Sequence, residues 1–269
     1  MEEVLLYDGL NAIHRGNIKF GPQDPDKQSF HVVYNFFRSL RATISSFNPT
    51  KVFFCLEGKN NFRYSLFSDY KANRIIKKAS KDNTDIDRQR DIVIKLLAYL
   101  PITLAHAERF EADDVIGTLC ENLKEENNTI ISSDSDFIQL LQRGLKVKLY
   151  HPGSKEFLEP PKYHYLVWKI LRGDKKTDNI PGLMSDAKAL AMVSDPKLLE
   201  DFLSIEENKA AFNLNKKLIE LSQVPDEEMI LSQGTTNFEA LKEEFEKMEF
   251  KSFLVDKYWS SFKETFSSL

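Results

Sequence analysis

The sequence has few of the residues that support thiol or zinc chemistry. Its 269 residues include two cysteines and five histidines. Cys55 and Cys120 each lie inside an apolar segment, a setting typical of buried thiols rather than of a disulfide framework or a zinc site. Cysteine and histidine are therefore not expected to supply the chemistry of this chain.

Long hydrophobic runs are also missing. The apolar stretch after Met1 soon meets Asp8, and no run approaches the roughly 18 residues that suggest a membrane span. We therefore expect no signal peptide, no transmembrane segment and a cytoplasmic location. Repeats, low-complexity tracts and Gly/Ser linkers are absent as well, and 42% hydrophobic with 29% charged residues is ordinary for a globular protein.

The chain has no overall excess of positive charge. Its formal net charge is −4, which argues against a protein that coats nucleic acid nonspecifically. The charge is unevenly distributed, because Lys59 to Arg90 carries a net +5 and the remainder −9. Such segregation can pair a phosphate-binding surface with an acidic metal pocket, although a charge run is more often a solvated helix face.

Short apolar runs alternate with helix-length patterns in the first part of the chain. The runs are Val4 to Tyr7, Lys51 to Leu56, Ile102 to Ala105, Thr129 to Ser132 and Val147 to Tyr150. The helical patterns are Ser29 to Phe47, Asp87 to Leu100, Ala112 to Glu126 and Phe137 to Arg143. This alternation predicts an α/β fold with a mostly parallel sheet. Strand signals end near residue 160, so we predict domains at 1–165 and 166–269, the second helical.

Carboxylates follow three of the predicted strands: Asp8, Glu57 and Asp134. The carboxyl ends of parallel strands border one crevice, so these side chains are expected to converge. Taken singly, each has an ordinary alternative as a turn residue or helix cap. Denser groups occur at Glu111, Asp113 and Asp114, at Asp134 and Asp136, and at Asp174 and Asp178. Clustered like charges require cations, and oxygen ligands indicate magnesium or manganese.

Four motifs in order resemble the flap endonuclease and 5′–3′ exonuclease family, which has a PIN-like core. They are Tyr70-Lys71-Ala72-Asn73-Arg74, Phe110-Glu111-Ala112-Asp113-Asp114, Ile131-Ser132-Ser133-Asp134-Ser135-Asp136-Phe137 and Lys169-Ile170-Leu171-Arg172-Gly173-Asp174-Lys175-Lys176. The resemblance runs from Asp8 to about Lys188. Within the family it is greatest to the T-even-type bacteriophage 5′ nucleases called ribonuclease H, which implies a bacterial or phage-infected cell.

The resemblance implies a centre with two Mg²⁺ ions, for which Mn²⁺ can substitute. Asp8, Glu57, Glu111 and Asp113 would serve the first ion, and Asp113, Asp134, Asp136, Asp174 and Asp178 would serve or orient the second. Asp114 would lie just behind these ligands. Lys71, Arg74 and Asp134 are the expected catalytic residues.

The resemblance also gives the basic segment a task. Residues from about 60 to 90 would form a helical arch that admits a single strand, with a DNA-binding set of Arg63, Tyr70, Lys71, Arg74, Lys77, Lys78 and Lys188. Lysine and arginine offset phosphate charge, and Tyr70 would stack on a base. The alternative is that Tyr70 is a core residue and Lys71 merely exposed.

Three positions depart from the family pattern. Glu57 stands where the family usually has aspartate, and Asp174 and Asp178 are four residues apart where three is usual. The family's duplex-binding helix-hairpin-helix has lost most of its glycine between Gly182 and Lys188. We therefore expect a degenerate motif with weaker duplex binding, and the loss weakens the case for a potassium ion there.

The resulting hypothesis is a structure-specific 5′ nuclease that removes flaps or RNA primers during replication, on flapped, nicked or 5′-ended duplex DNA and RNA–DNA hybrid. Two alternatives remain: a PIN-type single-strand ribonuclease, and a catalytically weak junction-binding protein. The aromatic-rich segment 248–269 favours core packing, with docking to a single-stranded-DNA-binding protein or sliding clamp as the second interpretation.

Overall fold

A seven-stranded sheet forms the centre of the molecule. The computed structural model describes residues 2–17, 29–74 and 84–269. The strands are β1 Glu3–Asp8, β2 Lys51–Leu56, β3 Thr103–His106, β4 Asn127–Ile131, β5 Val147–His151, β6 Glu156–Leu158 and β7 Ile230–Gln233. Their order is β6-β5-β4-β1-β2-β3-β7, with β1 to β5 parallel and both outermost strands antiparallel.

The central strands are apolar because both faces of the sheet are covered. β1 is buried along five of its six residues, and near-continuous apolar runs are typical of parallel strands with helices on both sides. The register pairs Asp8 of β1 with Cys55 of β2, and Tyr7 with Ile131 of β4. The carboxyl ends of these three strands therefore lie at one edge of the sheet.

Helices flank the sheet and continue after it. Among the described residues, the α-helices include α1 Gly9–Arg15, α2 His31–Phe47, α3 Arg63–Leu66, α4 Thr84–Leu97, α5 Ala112–Asn122, α6 Ile138–Leu141, α7 Tyr165–Arg172, α8 Asp186–Ser194, α9 Pro196–Leu203, α10 Glu206–Ile219, α11 Phe238–Lys247 and α12 Asp256–Ser267. Short 3-10 helices span Ser135–Phe137 and Asp226–Glu228. The predicted α/β class with a mostly parallel sheet and a helical C-terminal region is confirmed.

The two faces of the sheet carry separate hydrophobic clusters. One includes Val115 and Leu119 of α5 with Leu140 of α6. The other joins α2 and α4 to the two terminal helices, and Phe37 of α2 meets Phe245 of α11 at a ring-centroid distance of 5.3 Å. Stacked or tilted rings continue through α12, so core packing is the role of the aromatic-rich C-terminal segment, as the first interpretation held.

One feature of the C-terminal part differs from the sequence prediction. Strands do not end near residue 160, because β7 pairs with β3 at the far edge of the sheet. All four β7 residues are exposed, and such a short edge strand leaves little hydrophobic pattern to detect. The terminal helices pack against α2 and the N-terminal core, and the division into domains at 1–165 and 166–269 stays a prediction.

The described helices include none long and apolar enough to cross a membrane. The segment expected to form the arch is described in part. Thr84 to Leu97 is helical, and its second half is buried against the core at Val93, Leu96 and Leu97. Lys77 and Lys78 lie outside the described residues.

Candidate active site

An acidic pocket of about 130 Å³ lies at the carboxyl edge of the sheet, between the sheet and helices α7 and α10. Its charged lining consists of Arg63, Lys71, Arg74, Glu111, Asp113, Asp134, Asp136, Lys169, Asp174 and Asp178. The fold therefore brings together acids from three distant segments. Asp8 and Glu57 are outside this lining set, and Glu57 is exposed.

Asp8 ends β1 and is held by two local hydrogen bonds. The Ser132 hydroxyl donates to Asp8 Oδ2 at 2.8 Å, and the Asn11 amide donates to Oδ1 at 3.2 Å. Burial, together with the nearby charges of Asp134 and Glu57, raises the pKa of Asp8 to about 6 despite these bonds. Within the described part of the chain, ionised Asp8 forms no ion pair with a basic side chain.

Asp113 belongs to the same uncompensated group. It lies in the first turn of α5 and faces the pocket. Burial raises its pKa well above the usual range, and repulsion from Asp8, Asp134 and Glu111 adds to that rise. Asp134 follows β4 and caps the 3-10 turn by accepting the Asp136 amide at 2.9 Å. These three carboxylates form what we call the sheet-side group: Asp8, Asp113 and Asp134.

Glu111 is surrounded by donors. Asn61 Nδ2 donates to its Oε1 at 2.6 Å, the Tyr70 hydroxyl donates to its Oε2 at 3.1 Å, and Lys71 Nζ forms an ion pair with Oε1. Burial alone would raise the pKa of Glu111, but Lys71 and Arg63 outweigh it and hold the pKa below the usual range. Glu111 is therefore ionised and paired.

Asp136 and Asp174 share one cation. Lys169 of α7 is 5% exposed, forms an ion pair with Asp136, and places its ammonium 3.4 Å from Asp174 Oδ2. The pKa of Asp136 is nevertheless raised to about 6, because burial outweighs Lys169 and Asp134 adds repulsion. The Thr177 amide donates to Asp174 at 3.0 Å; burial opposes ionisation there, yet this bond and Lys169 hold its pKa low.

Asp178 lies at the far side of the pocket beside the basic segment. Arg74 NH2 contacts its Oδ1 at 2.7 Å, and the Lys71 amide donates to its backbone carbonyl at 2.9 Å. An antiparallel bridge between Asp174 and Ile180 closes the loop that carries both acids. The four-residue spacing thus places Asp174 and Asp178 on a tight loop, not on a helix face. Glu111, Asp136, Asp174 and Asp178 form the paired group.

Arg63 and Asp114 form a buried ion pair beneath the pocket. The guanidinium meets both carboxylate oxygens, at 2.6 and 2.8 Å, and donates to the carbonyls of Leu218 and Glu220. Asp114 is fully buried and accepts the Glu111 amide at 3.1 Å. The prediction that Arg63 contacts DNA from the edge is replaced, because a side chain 2% exposed and so fully bonded supports the pocket from inside.

Tyr70 also differs from its predicted role. It is 1% exposed, its hydroxyl bonds Glu111, and its ring packs 5.7 Å from that of Tyr64. Stacking on a nucleobase would require the ring to leave the core, so the alternative of a core residue describes Tyr70 better. Lys188, in contrast, is exposed on α8.

Sequence reasoning missed the cation that joins two of the acids. Lys169 lies within one of the four motifs, and its position between Tyr165 and Ile170 falls on the buried stripe of an amphipathic helix. That placement was the available signal, since lysine is rarely buried without a partner. Asn61 and Ser132 gave no comparable signal, because their contacts depend on loops that meet only in the folded chain.

Within the described residues, no three acids, histidines or cysteines are gathered closely enough to enclose a metal ion by themselves. Three of the acids, Glu111, Asp136 and Asp178, instead form ion pairs with basic side chains. Among the described residues, no ion pair is formed by Asp8, Asp113 or Asp134, although the charge of Lys71 partly opposes the rise in the pKa of Asp113. The raised pKa values of Asp8 and Asp113 mark the place where added positive charge would be most stabilising.

The parallel sheet with carboxylates at one edge defines a nuclease-like fold, and comparison with known proteins gives the family. Residues 3–165 match the model of the 5′-3′ exonuclease, N-terminal resolvase-like domain. The match covers more than half of the chain, so the chain belongs to this family. The finer resemblance to the T-even-type bacteriophage enzymes stays a prediction.

Similar proteins of known sequence are longer. DNA polymerase I of Lactococcus lactis is 29% identical over 227 residues, covering 76% of this chain and 25% of the polymerase. The 5′-3′ exonuclease of Mycobacterium tuberculosis is 28% identical over 209 residues, covering 67% of this chain and 65% of that protein. This chain thus spans about a quarter of the polymerase and less than two thirds of the exonuclease.

Two solved structures share the fold. The bacteriophage T5 flap endonuclease, in a pseudo-enzyme-product complex with DNA and metal ions, superposes with a TM-score of 0.64 at 17% identity, covering 81% of this chain and 89% of that one. Flap endonuclease-1 from Methanococcus jannaschii gives 0.66 at 14% identity, covering 99% and 92%. At these identities the likeness concerns the fold alone.

Proposed function

We propose that this chain is a divalent-metal-dependent 5′-3′ exonuclease and flap endonuclease that hydrolyses phosphodiester bonds. The observation that carries the proposal is the acidic pocket at the carboxyl edge of the sheet, in a chain whose family is that of the 5′-3′ exonucleases. Among the relatives, one is named a 5′-3′ exonuclease and one fold neighbour was solved with DNA and metal ions.

The residues of the sheet-side group fit a hard divalent cation. Asp8, Asp113 and Asp134 offer carboxylate oxygens, the ligands that magnesium and manganese prefer, and their mutual repulsion is what an added cation would relieve. Asp136, Asp174, Asp178 and Glu111 would complete or orient the ligand set, with Glu57 contributing from outside the pocket. When bound, a pair of such ions supplies an activated water and stabilises the leaving oxygen.

The basic side chains of the pocket would position the scissile phosphate. Lys71 and Arg74 line the pocket, where they form ion pairs with Glu111 and Asp178. A phosphate that enters the pocket would therefore lie close to both cations. Cations held at this place offset the charge that develops during phosphoryl transfer. Lys71 and Arg74 are therefore proposed to bind the phosphate, with Asp134 as the key acid.

The rest of the chain would hold the duplex. Residues 1–165 are proposed to carry catalysis and the arch, which includes Lys77 and Lys78, and residues 166–269 to bind duplex DNA. Lys188 is exposed on α8, directly after the hairpin that begins at Gly182, and is the proposed phosphate contact there. RNA–DNA hybrid would be accepted because such contacts are to the backbone.

The test is cleavage of a 5′-labelled flap, a nicked duplex and a single strand, each with Mg²⁺, Mn²⁺ or chelator. We expect metal-dependent release of the flap near its junction, and loss of that activity in Asp134→Ala. Glu227→Ala, an exposed carboxylate away from the pocket, is the matched control and should cleave normally. Full activity of Asp134→Ala would overturn this assignment of the centre, and cleavage of unpaired RNA alone would indicate a single-strand ribonuclease.

A further inference from the structure

A second, larger cavity of about 510 Å³ adjoins the acidic pocket. The linings of the two cavities share Ser135, Lys169, Asp174 and Thr177, so the cavities are adjacent. A nucleic-acid strand bound in one can therefore extend into the other. Sites for small organic ligands typically measure about 300–1,000 Å³. The second cavity is therefore large enough for a nucleotide, whereas the acidic pocket is not.

Aromatic rings line one part of this cavity. Trp168 of α7 lies at ring-centroid distances of 5.6 Å from Tyr163 and 5.5 Å from Tyr165. All three residues line the cavity, and Trp168 is only partly buried. Aromatic faces bind unpaired bases by stacking, and they do so with little regard for which base it is.

Positive charge accompanies the rings. The Arg172 guanidinium carbon lies 4.9 Å from the Trp168 ring centroid, and Lys176 also lines the cavity. Both residues are exposed to solvent, so a phosphate can reach them. The lining also includes the acids Glu159 and Asp174.

The ring and the guanidinium are held in place from the start of α8. Trp168 Nε1 donates to Asp186 Oδ1 at 3.0 Å, and Arg172 Nε lies 3.5 Å from the same oxygen. One carboxylate thus fixes both side chains before any ligand arrives. Preorganisation of this kind lowers the entropic cost of binding.

We propose that this cavity binds one unpaired nucleotide of the cleaved strand, next to the scissile phosphate. The proposal rests on the proposed nuclease function and adds a subsite to it. The base stacks in the aromatic part near Trp168, while Arg172 and Lys176 neutralise the adjoining phosphate. Because stacking does not depend on which base is present, we expect the subsite to accept any base.

The first experiment measures binding, independently of cleavage. A fluorescent base analogue is placed at successive positions on either side of the junction in flap DNA, and its quenching is followed as protein is added with Mg²⁺ and with chelator. We expect strong quenching at one or two adjacent positions. Trp168→Leu should abolish that quenching and weaken binding about tenfold, Trp168→Phe should restore much of both, and Phe157→Leu, an exposed aromatic outside the cavity, should match the wild type.

The second experiment measures cleavage of flaps with a single abasic site at the same positions. The wild type should slow about tenfold when the missing base is the one that is quenched, and Trp168→Leu should cut all flaps at one reduced rate. Lys176 is exposed, so the variant Lys176→Ala should fold normally. It should bind flap DNA more weakly than the wild type and with a smaller salt dependence.

The outcomes separate the subsite from the nuclease function. Normal flap cleavage without position-dependent quenching or abasic interference overturns the subsite and leaves the function intact. Position-dependent quenching lost in Trp168→Leu, in a protein that cleaves nothing, supports the subsite and overturns the function. A wild type that binds no flap DNA under either condition overturns both.

Discussion

The carboxylates in and beside the acidic pocket differ in their electrostatic surroundings, although Asp136 and Asp178 of the paired group also have raised pKa values because burial outweighs their basic neighbours. In the sheet-side group, Asp8 and Asp113 repel their neighbours and their pKa values are raised. In the paired group, Glu111 and Asp174 have basic neighbours that hold their pKa values low. One pocket therefore contains acids that the fold already neutralises and acids that it leaves for an added cation.

The difference follows from where each group lies in the chain. The sheet-side acids are placed by strand ends and a helix start, where backbone topology decides their position. The paired acids meet cations from elsewhere in the chain: Lys71 and Arg74 from the basic segment, and Lys169 from α7. The comparison predicts that removing Asp113 and removing Glu111 have the same effect on cleavage and opposite effects on stability.

The largest expected effects on cleavage come from replacing Asp113 of the sheet-side group and Glu111 of the paired group. Asp113→Asn and Glu111→Gln should each lower flap cleavage about a thousandfold, because each removes an oxygen ligand from the metal centre. In chelator, Asp113→Asn should raise the melting temperature, since it relieves repulsion at a carboxyl whose pKa is raised. Glu111→Gln should lower it, since it breaks the pairs with Lys71 and Arg63.

The measurement is thermal unfolding in chelator beside the cleavage assay, with Glu227→Gln as the exposed control. A lower melting temperature for both pocket variants would mean that Asp113 is compensated as well as Glu111, and the division into two groups would be wrong.

Beneath both groups, the buried pair of Arg63 and Asp114 should be the most stabilising single contact of the site. Arg63→Met leaves Asp114 buried without its cation and should lower the free energy of unfolding by about 3–5 kcal/mol. Cleavage should fall too, because Asp114 accepts the amide of Glu111. Denaturant unfolding monitored by circular dichroism gives the value.

Two variants make the Arg63 result interpretable. Adding Asp114→Asn to Arg63→Met should recover part of the loss, because a neutral amide replaces the stranded charge. Arg109→Ala breaks an exposed pair with Glu228 and should leave stability unchanged. Equal losses in Arg63→Met and Arg109→Ala would show that burial of the pair contributes nothing.

The sequence predicted the sheet-side group well for a physical reason. Apolar runs such as Lys51 to Leu56 coincide with β2 residue for residue, and Asp8 falls at the end of β1 as expected. A carboxylate directly after a buried strand needs no tertiary information to be placed at the sheet edge. The apolar pattern of a strand and the acid at its end together therefore predict where the sheet-side group lies.

The paired group was less predictable, because its contacts join distant loops. The pairing of Lys169 with Asp136 spans 33 positions, and that of Arg63 with Asp114 spans 51. The family resemblance implied that Arg63 contacts DNA, whereas two backbone carbonyls and a carboxylate accept its hydrogen bonds inside the protein. Strand β7 was not predicted for a similar reason, since its position depends on pairing with β3 rather than on its own hydrophobic pattern.

The pH dependence of stability should distinguish Asp8 from Glu111 by a smaller amount. The folded pKa of Asp8 is about 6, above the ordinary value near 4, so the folded protein takes up a proton as pH falls through 6. In chelator, stability should rise between pH 7.5 and 5 by about 1.4 kcal/mol from this carboxyl, and Asp136, also at about 6, adds in the same direction.

Asp8→Asn removes the Asp8 share of this rise and should flatten the profile. Glu111 acts in the opposite sense: its lowered pKa stabilises the folded state at neutral pH, and that stability is lost as pH falls below about 4. Unfolding curves at several pH values in chelator provide the test. A wild-type profile that falls steadily from pH 7.5 to 5 would contradict the uncompensated state of Asp8.

The smallest expected effect concerns Lys169, whose ammonium lies between the carboxylates of Asp136 and Asp174. Lys169 competes with metal for Asp136 and Asp174, so Lys169→Met should lower the Mg²⁺ concentration for half-maximal cleavage severalfold. In chelator the variant should unfold at a lower temperature, and Mg²⁺ should restore more of its stability than it adds to the wild type. Lys175→Met, an exposed neighbour, is the control. A higher Mg²⁺ requirement would mean that Lys169 holds these carboxylates ready for metal rather than substituting for it.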